Sequence, residues 1–474
     1  MKKQRTAAVC VTTLLGLLSA LVLVRESWGR ADEPGVPPGV TESAPAGRPA
    51  ARVDHPAIRS ADSLLVMACA AMAMLMTPAL GFFYGGMVRR KNVLSAFQQS
   101  FILLGVVSMQ WVLGGYSLAF GRDAAFGFCG GGQWFGLRGV GLEPNPLVAP
   151  LVPHQLFMVF QMMVAVFTVG LISGAIAERM KFSAYLVFTL LWATLVYGPV
   201  AHWIWGPGGW LKQLGALDFA GGLVVHLTSG LAALCCALVL GKRKGLDTED
   251  LHPHNLTLTA LGTALLWYGW LGLNVGQARG VNGRAVAAFV ATNLAGSAAV
   301  VSWSALEYFQ KRKVTVLGAC TGAIAGLVAV TPAAGYVTPI GALFLGVLVC
   351  PLCYAAILLK AKLGYDDSLD VFGVHGIGGL AGVLALGVLA TPALTEQAGG
   401  LLDGNANLLL AQAVATAAVA VYTILMTLSL LLVIDRLLGL RVSAEEEELG
   451  LDLTQHGQRG YMTGEGELIG GVSN

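Results

Sequence analysis

"DFAGGLVVH", residues Asp218 to His226, opens on a carboxylate, passes through two glycines and two valines, and ends on an imidazole within an otherwise apolar run. An ionisable ring is expensive in hydrocarbon and marks a substrate or proton path by default, so the reading turns on whether this stretch crosses a membrane. The 474-residue chain is 55% hydrophobic and 12% charged, with mean hydropathy +0.70. Soluble domains carry about a quarter charged residues, so a membrane protein is indicated. A net charge of +2 gives no global field for nucleic acid or another polyanion.

From Asp62 onward, eleven runs are apolar enough to span a hydrocarbon core: about 62–87, 96–120, 154–176, 183–204, 219–241, 256–277, 284–306, 315–332, 338–360, 369–390 and 407–434. "DFAGGLVVH" leads into the fifth. Basic clusters follow the odd-numbered runs: Arg89, Arg90 and Lys91; Arg179 and Lys181; Lys242, Arg243 and Lys244; Lys311, Arg312 and Lys313; Lys360 and Lys362. Even-numbered exits carry scattered charges, among them Arg122, Lys212, Arg279 and Arg284. The positive-inside rule then puts the mature N-terminus outside and the C-terminus in the cytoplasm. Glycine and alanine crowd the spans, as in "GVHGIGGLAGVLALGVLA", where small residues let helices pack closely.

Ahead of the first span, Lys2, Lys3 and Arg5 precede an apolar run to Val24 and then small residues. This is the pattern of a secretory signal peptide over 1–31, with an uncleaved extra span as the alternative. Residues 32–60, rich in Pro, Gly and Ala, read as a flexible extracytoplasmic lead. The membrane domain covers 61–436, and 437–474 form a cytoplasmic tail whose acidic run, Glu445 to Glu448, reads as a solvated helix or loose segment. The chain has eight cysteines, and Cys350 and Cys353 form a lone CxxC in an apolar run without a second pair, which favours packing over a metal site.

A second segment, "DVFGVH" (370–375), also runs from Asp to His, five spans after the first. An odd offset inverts topology, so the first ten spans read as an inverted 5+5 repeat, with an eleventh helix at the periphery and a site at the centre. His226 and His375 each lie about 8 to 11 Å below their own membrane face, approaching from opposite sides. Two histidines at matched depth favour function over packing, and neither cofactor nor metal is called for, since no third ligand lies at a compatible depth. Asp218 reads either as a helix cap or as an attractor for a cation, and Asp366, Asp367 and Asp370 before the tenth span have the same two readings. Trp205 and Phe160 fall at span ends, as belt residues or as cation–π faces.

"GFFYGGMVRRKNVLS" (81–95), "GAIAERMKFSA" (174–184), "GALDFAGGLVVH" (215–226), "GACTGAIAGLVAVTPAAGY" (318–336) and "DVFGVHGIGG" (370–379) resemble signatures of the ammonium transporter family, relatives of the Rh proteins, in the family's order. The resemblance implies a plasma-membrane homotrimer of eleven-helix subunits, each with its own hydrophobic pore. It also implies a pore histidine pair at His226 and His375, a cation site at Trp205 and Phe160 with Asp218 nearby, and a pore tryptophan at Trp270. A PII-type regulatory protein is the implied cytoplasmic partner. Two phenylalanines that gate the pore in many members correspond here to Val164 and Leu273, and a serine of the outer site corresponds to Gln277. The expected activity is recruitment and deprotonation of ammonium, followed by conduction of ammonia. The altered gate keeps a sensor of low conductance as the alternative. An intramembrane hydrolase is disfavoured, since the chain has neither HExxH nor GxSxG.

Overall fold

The structure, a computed structural model, describes residues 58–249, 251–396 and 399–461. The signal-peptide reading of 1–31 and nearly all of the 32–60 lead lie outside the described residues. The fold is helical and polytopic, as read. Its membrane helices are α1 (Ser60–Met87), α2 (Arg90–Phe120), α3 (His154–Ile176), α4 (Phe182–Gln213), α5 (Gly222–Leu240), α6 (Leu256–Gly276), α7 (Gly283–Lys311), α8 (Val316–Val330), α9 (Pro339–Leu363), α10 (Phe372–Leu389) and α11 (Ala406–Leu438). Ten are long and apolar enough to cross a bilayer.

The exception is α8, which at 15 residues rises only about 22 Å and stops short of the far face. Beyond it the chain runs irregularly through Thr331 and Pro332, whose carbonyls accept the N–H groups of Ala220 and Phe219 at 3.2 and 2.9 Å. Irregular backbone at membrane depth survives only where protein supplies its hydrogen bonds. Here two breaks, one before α5 and one after α8, supply each other.

Side-chain caps set several helix starts: Asn255, Asn282, Thr315, Thr338 and Asn405 each accept a first-turn N–H. Burial sorts the bundle from inside to outside. Over their most apolar windows α3 and α5 are 83% buried, whereas α7 and α9 are 39% buried and present aliphatic faces outward. Small residues allow the closest crossings; at Gly262 of α6, for example, any Cβ would run into the backbone of Phe83 on α1.

The exits of α1, α3, α5 and α11 meet at one end of the bundle, as the alternating basic clusters imply. There Arg89 Nε donates to Glu178 at 2.9 Å, and Arg243 forks onto Asp366 at 2.9 and 3.0 Å. The acidic run of the tail is docked at this end, which corrects the reading of a solvated segment. Glu447 is buried and accepts from Arg441 at 2.8 Å and from the Lys244 N–H at 2.5 Å, while Ser443 and Glu446 close a capping box. The short helices α12 (Ala444–Leu449) and α13 (Leu451–His456) follow. Asp452 of α13 accepts the N–H groups of Leu94 and Ser95 in α2. The basic loops supplied the partners that a scan of the tail alone does not show.

Candidate functional site

His226 and His375 meet at the centre of the bundle. Their Nδ1 atoms are 3.2 Å apart, and the rings stack with centroids 5.3 Å apart at 28°. Each sits on a widened turn, Gly222–Leu227 in α5 and Phe372–Gly376 in α10, where backbone bonds reach from residue i to i+5. Such turns are rare and occur often at functional sites. The approach to α5 depends on Gly221, whose φ of +121° suits only a residue without a side chain.

Two glycines permit the crossing, each four residues beyond a histidine. A Cβ on Gly230 would strike the backbone of Gly376, and a Cβ on Gly379 would meet His226. A second correspondence revises the sequence pairing of the halves. Asp218 Oδ2 accepts the Leu223 N–H at 2.7 Å, and Asp367 Oδ2 accepts the Phe372 N–H at 2.7 Å, in each case three residues before the histidine. The counterpart of Asp218 is therefore Asp367; Asp370 pairs with Lys360 at 2.5 Å instead.

Asp218 resolves toward capping. Its two oxygens accept four backbone N–H groups, from Gly221 to Val224, at 2.7 to 3.1 Å. Its charge is spread into the start of α5 and complements the helix dipole.

Trp270 stacks on His226 at 5.3 Å and donates its indole N–H to Thr331 Oγ1 at 2.8 Å. The same hydroxyl lies 3.4 Å from His226 Nε2 and donates to the Leu327 carbonyl at 2.7 Å. Sequence reasoning missed Thr331; the available signal was a hydroxyl ending an unusually short span just before a proline. Phe167 packs edge-on against Trp270, and one end of the next layer is marked by the Gln161 to Gln277 hydrogen bond at 3.1 Å. Helical spacing puts Val164 and Leu273 between these two levels, and both are fully buried.

Above that level a cavity of about 270 Å³ opens at the Asp218 end, lined in part by Trp205, Asp218 and Gln277. Trp205 donates its indole N–H to the Asp218 carbonyl at 2.8 Å. Phe160 is fully buried off that lining, with its ring packed on Gly276. Toward the tail, a cavity of about 60 Å³ reaches His375 between Phe83, Tyr84, Leu369 and Asp370. The histidine pair thus lies between two end cavities, separated from the larger one by a packed aliphatic layer.

Comparison with known proteins identifies the family and the fold. The sequence profile of the Ammonium Transporter Family matches residues 64–461. An ammonium transporter from Bacillus subtilis (strain 168) is 50% identical over 403 residues, 85% of this chain and 98% of that protein. The crystal structure of Saccharomyces cerevisiae Mep2 superposes with a TM-score of 0.80 at 37% identity, over 86% of this chain and 93% of that one. A structure described as a sensor Amt protein superposes with a TM-score of 0.76 at 28% identity, over 84% and 98%.

Proposed function

The chain belongs to the Ammonium Transporter Family, and from that premise we propose that it takes up ammonium at the Trp205 cavity and passes ammonia and a proton along His226 and His375. The Nδ1 to Nδ1 contact between the histidines, 3.2 Å in a buried core, is the observation that supports this reading best. A bare cation in an apolar path loses its hydration at a cost of several kcal/mol or more, whereas ammonia does not carry that charge. Potassium has no proton to give up and stays behind.

The hydrogen-bond network supports one pair of tautomers in this reading. Thr331 spends its only proton on Leu327, so toward His226 Nε2 it is an acceptor and that nitrogen carries hydrogen. His226 Nδ1 then accepts from His375 Nδ1–H, and His375 Nε2 is left as a lone pair able to bind a proton. Asp218, with both oxygens bonded to backbone N–H groups, acts on the cation through its field rather than as a proton acceptor.

In this reading the tail end faces the cytoplasm, the Trp205 cavity faces outward across the plasma membrane, three copies assemble as a homotrimer, and the tail face receives a PII-type regulator. The sensor reading draws on the filled Val164 and Leu273 level and on the resemblance to the sensor Amt structure. Proteoliposome currents on ammonium addition test both. Wild type should give current that is lost or loses its rejection of potassium in His226→Ala and His375→Ala. Unchanged current and selectivity in both variants removes the histidines from the mechanism. Ammonium binding without current favours the sensor.

A further inference from the structure

The Trp205 cavity is lined by more positive charge than a cation site would be expected to hold. Lys212, Arg279 and Arg284 all border it, and the single lining carboxylate, Asp218, is already saturated by backbone N–H groups. Arg284 is committed elsewhere, to the carbonyls of Leu394 and Thr395 and to Glu396 at 2.9 Å. Arg279 lays its guanidinium over Phe157, 5.0 Å from the ring centre, and gives one hydrogen bond, to the Val148 carbonyl. Lys212 has neither ion pair nor hydrogen bond among the described residues. Gln277, also on the lining, is tied to Gln161 by an amide–amide hydrogen bond at 3.1 Å.

An ammonium group and a guanidinium bordering one cavity are complementary to an acceptor-rich anion. We propose that a small oxyanion, of the size of bicarbonate or inorganic phosphate, binds between Lys212 and Arg279, and that it supplies the counter-charge for ammonium at Trp205. The coupling to ammonium rests on the transport reading given above; the anion site itself does not. A bound oxyanion cancels the local repulsion between the entering cation and the two basic side chains, so the anion and ammonium bind with positive cooperativity.

The test uses the full chain. Inorganic phosphate and bicarbonate are titrated separately into detergent-solubilised protein in a calorimeter, at ionic strength held constant with sodium chloride. Saturable binding of at least one is expected, weakened about tenfold or more in Lys212→Gln and in Arg279→Gln, the scale of one charge-assisted contact. The two titrations tell the sources apart. In proteoliposomes, replacing external chloride by the bound oxyanion should lower the half-saturating ammonium concentration about threefold or more. In Lys212→Glu, which carries its own counter-charge, that dependence should vanish. Lys212 is exposed, so its variants do not disturb the core. Absence of saturable heat with both anions, or equal heat in wild type and both glutamine variants, overturns the site. Anion binding without any anion dependence of the ammonium current overturns the coupling. Anion binding in a protein that carries no ammonium current refutes the transport reading and leaves the site standing.

Discussion

Trp270 and His226 share one oxygen: Thr331 Oγ1 accepts the indole N–H at 2.8 Å and sits 3.4 Å from the imidazole Nε2. Removing that acceptor frees the tautomer of His226 and leaves a buried indole N–H unpaired. Thr331→Val should lower ammonium current about tenfold or more and destabilise the fold by about 1 to 3 kcal/mol, while Thr331→Ser retains most of both. Proteoliposome current and thermal unfolding in detergent measure the two effects. Equal current in wild type and the valine variant would exclude the hydroxyl from the path.

Gly230 and Gly379 hold the histidine crossing at its observed spacing. Alanine at either position pushes α5 and α10 apart, with a cost of about 1 to 3 kcal/mol for the overpacking and a longer Nδ1 to Nδ1 separation. Current should fall further than stability does. A Gly230→Ala protein with wild-type flux would show that the pair tolerates separation.

Replacing Asp218 separates its capping from its charge. Asp218→Ala strands four buried N–H groups at the start of α5, and a loss of about 3 kcal/mol or more, read as a lower Tm, is expected. Asp218→Asn keeps acceptor capacity on one oxygen, so it should be the milder change in Tm but should raise the ammonium concentration needed for half-maximal flux. A variant order reversed in Tm would refute the cap.

The layer of Val164 and Leu273 is already filled. Val164→Phe and Leu273→Phe each insert a ring where neither side chain has any exposed surface, and should destabilise by about 1 to 3 kcal/mol and reduce flux. The double variant is the informative comparison: a flux gain over both singles would show that two rings can stack there as a working gate.

Neighbouring carboxylates at the tail end respond to pH with opposite sign. Burial pushes the Asp367 carboxyl up to about 6, with Asp370 adding to the rise. Its folded state therefore holds a proton more tightly than the unfolded chain. The stability this gives is full below about pH 4 and is lost as pH rises through 6, a change of up to about 3 kcal/mol. Burial also acts to raise Asp366, but the Arg243 fork overrides it and holds that carboxyl below its ordinary value. Its contribution is present above about pH 4 and lost as pH falls. Asp367→Asn should flatten the Tm profile between pH 4 and 6, and Asp366→Asn should flatten it below pH 4 while lowering Tm at neutral pH.

Spans, their number and the grouping of odd exits were readable from apolar run length and basic clusters, because those signals are local. The histidine pair was readable for the same reason. The matching of halves was not fully so, since similarity of "DFAGGLVVH" to "DVFGVH" drew attention to Asp370, whereas hydrogen bonds align Asp218 with Asp367. The spacing from His226 to Gly230 recurs from His375 to Gly379 and was available as a further signal. Thr331 and the docked Glu447 were hidden because their partners lie far off in the chain: His226 and Trp270 for one, Lys244 for the other.

The seam between the two breaks has a mechanical consequence. Phe219 and Ala220 precede the last helix of the first half, and Pro332 and Thr331 follow the third helix of the second, so two backbone bonds stitch the halves beside the Trp205 cavity. Any rocking of one half against the other, as alternating access requires, strands those groups at about 1 to 3 kcal/mol each. The seam resists hinge motion between the halves, so the proposed passage of ammonia and a proton calls for a stationary conduit rather than rocking halves.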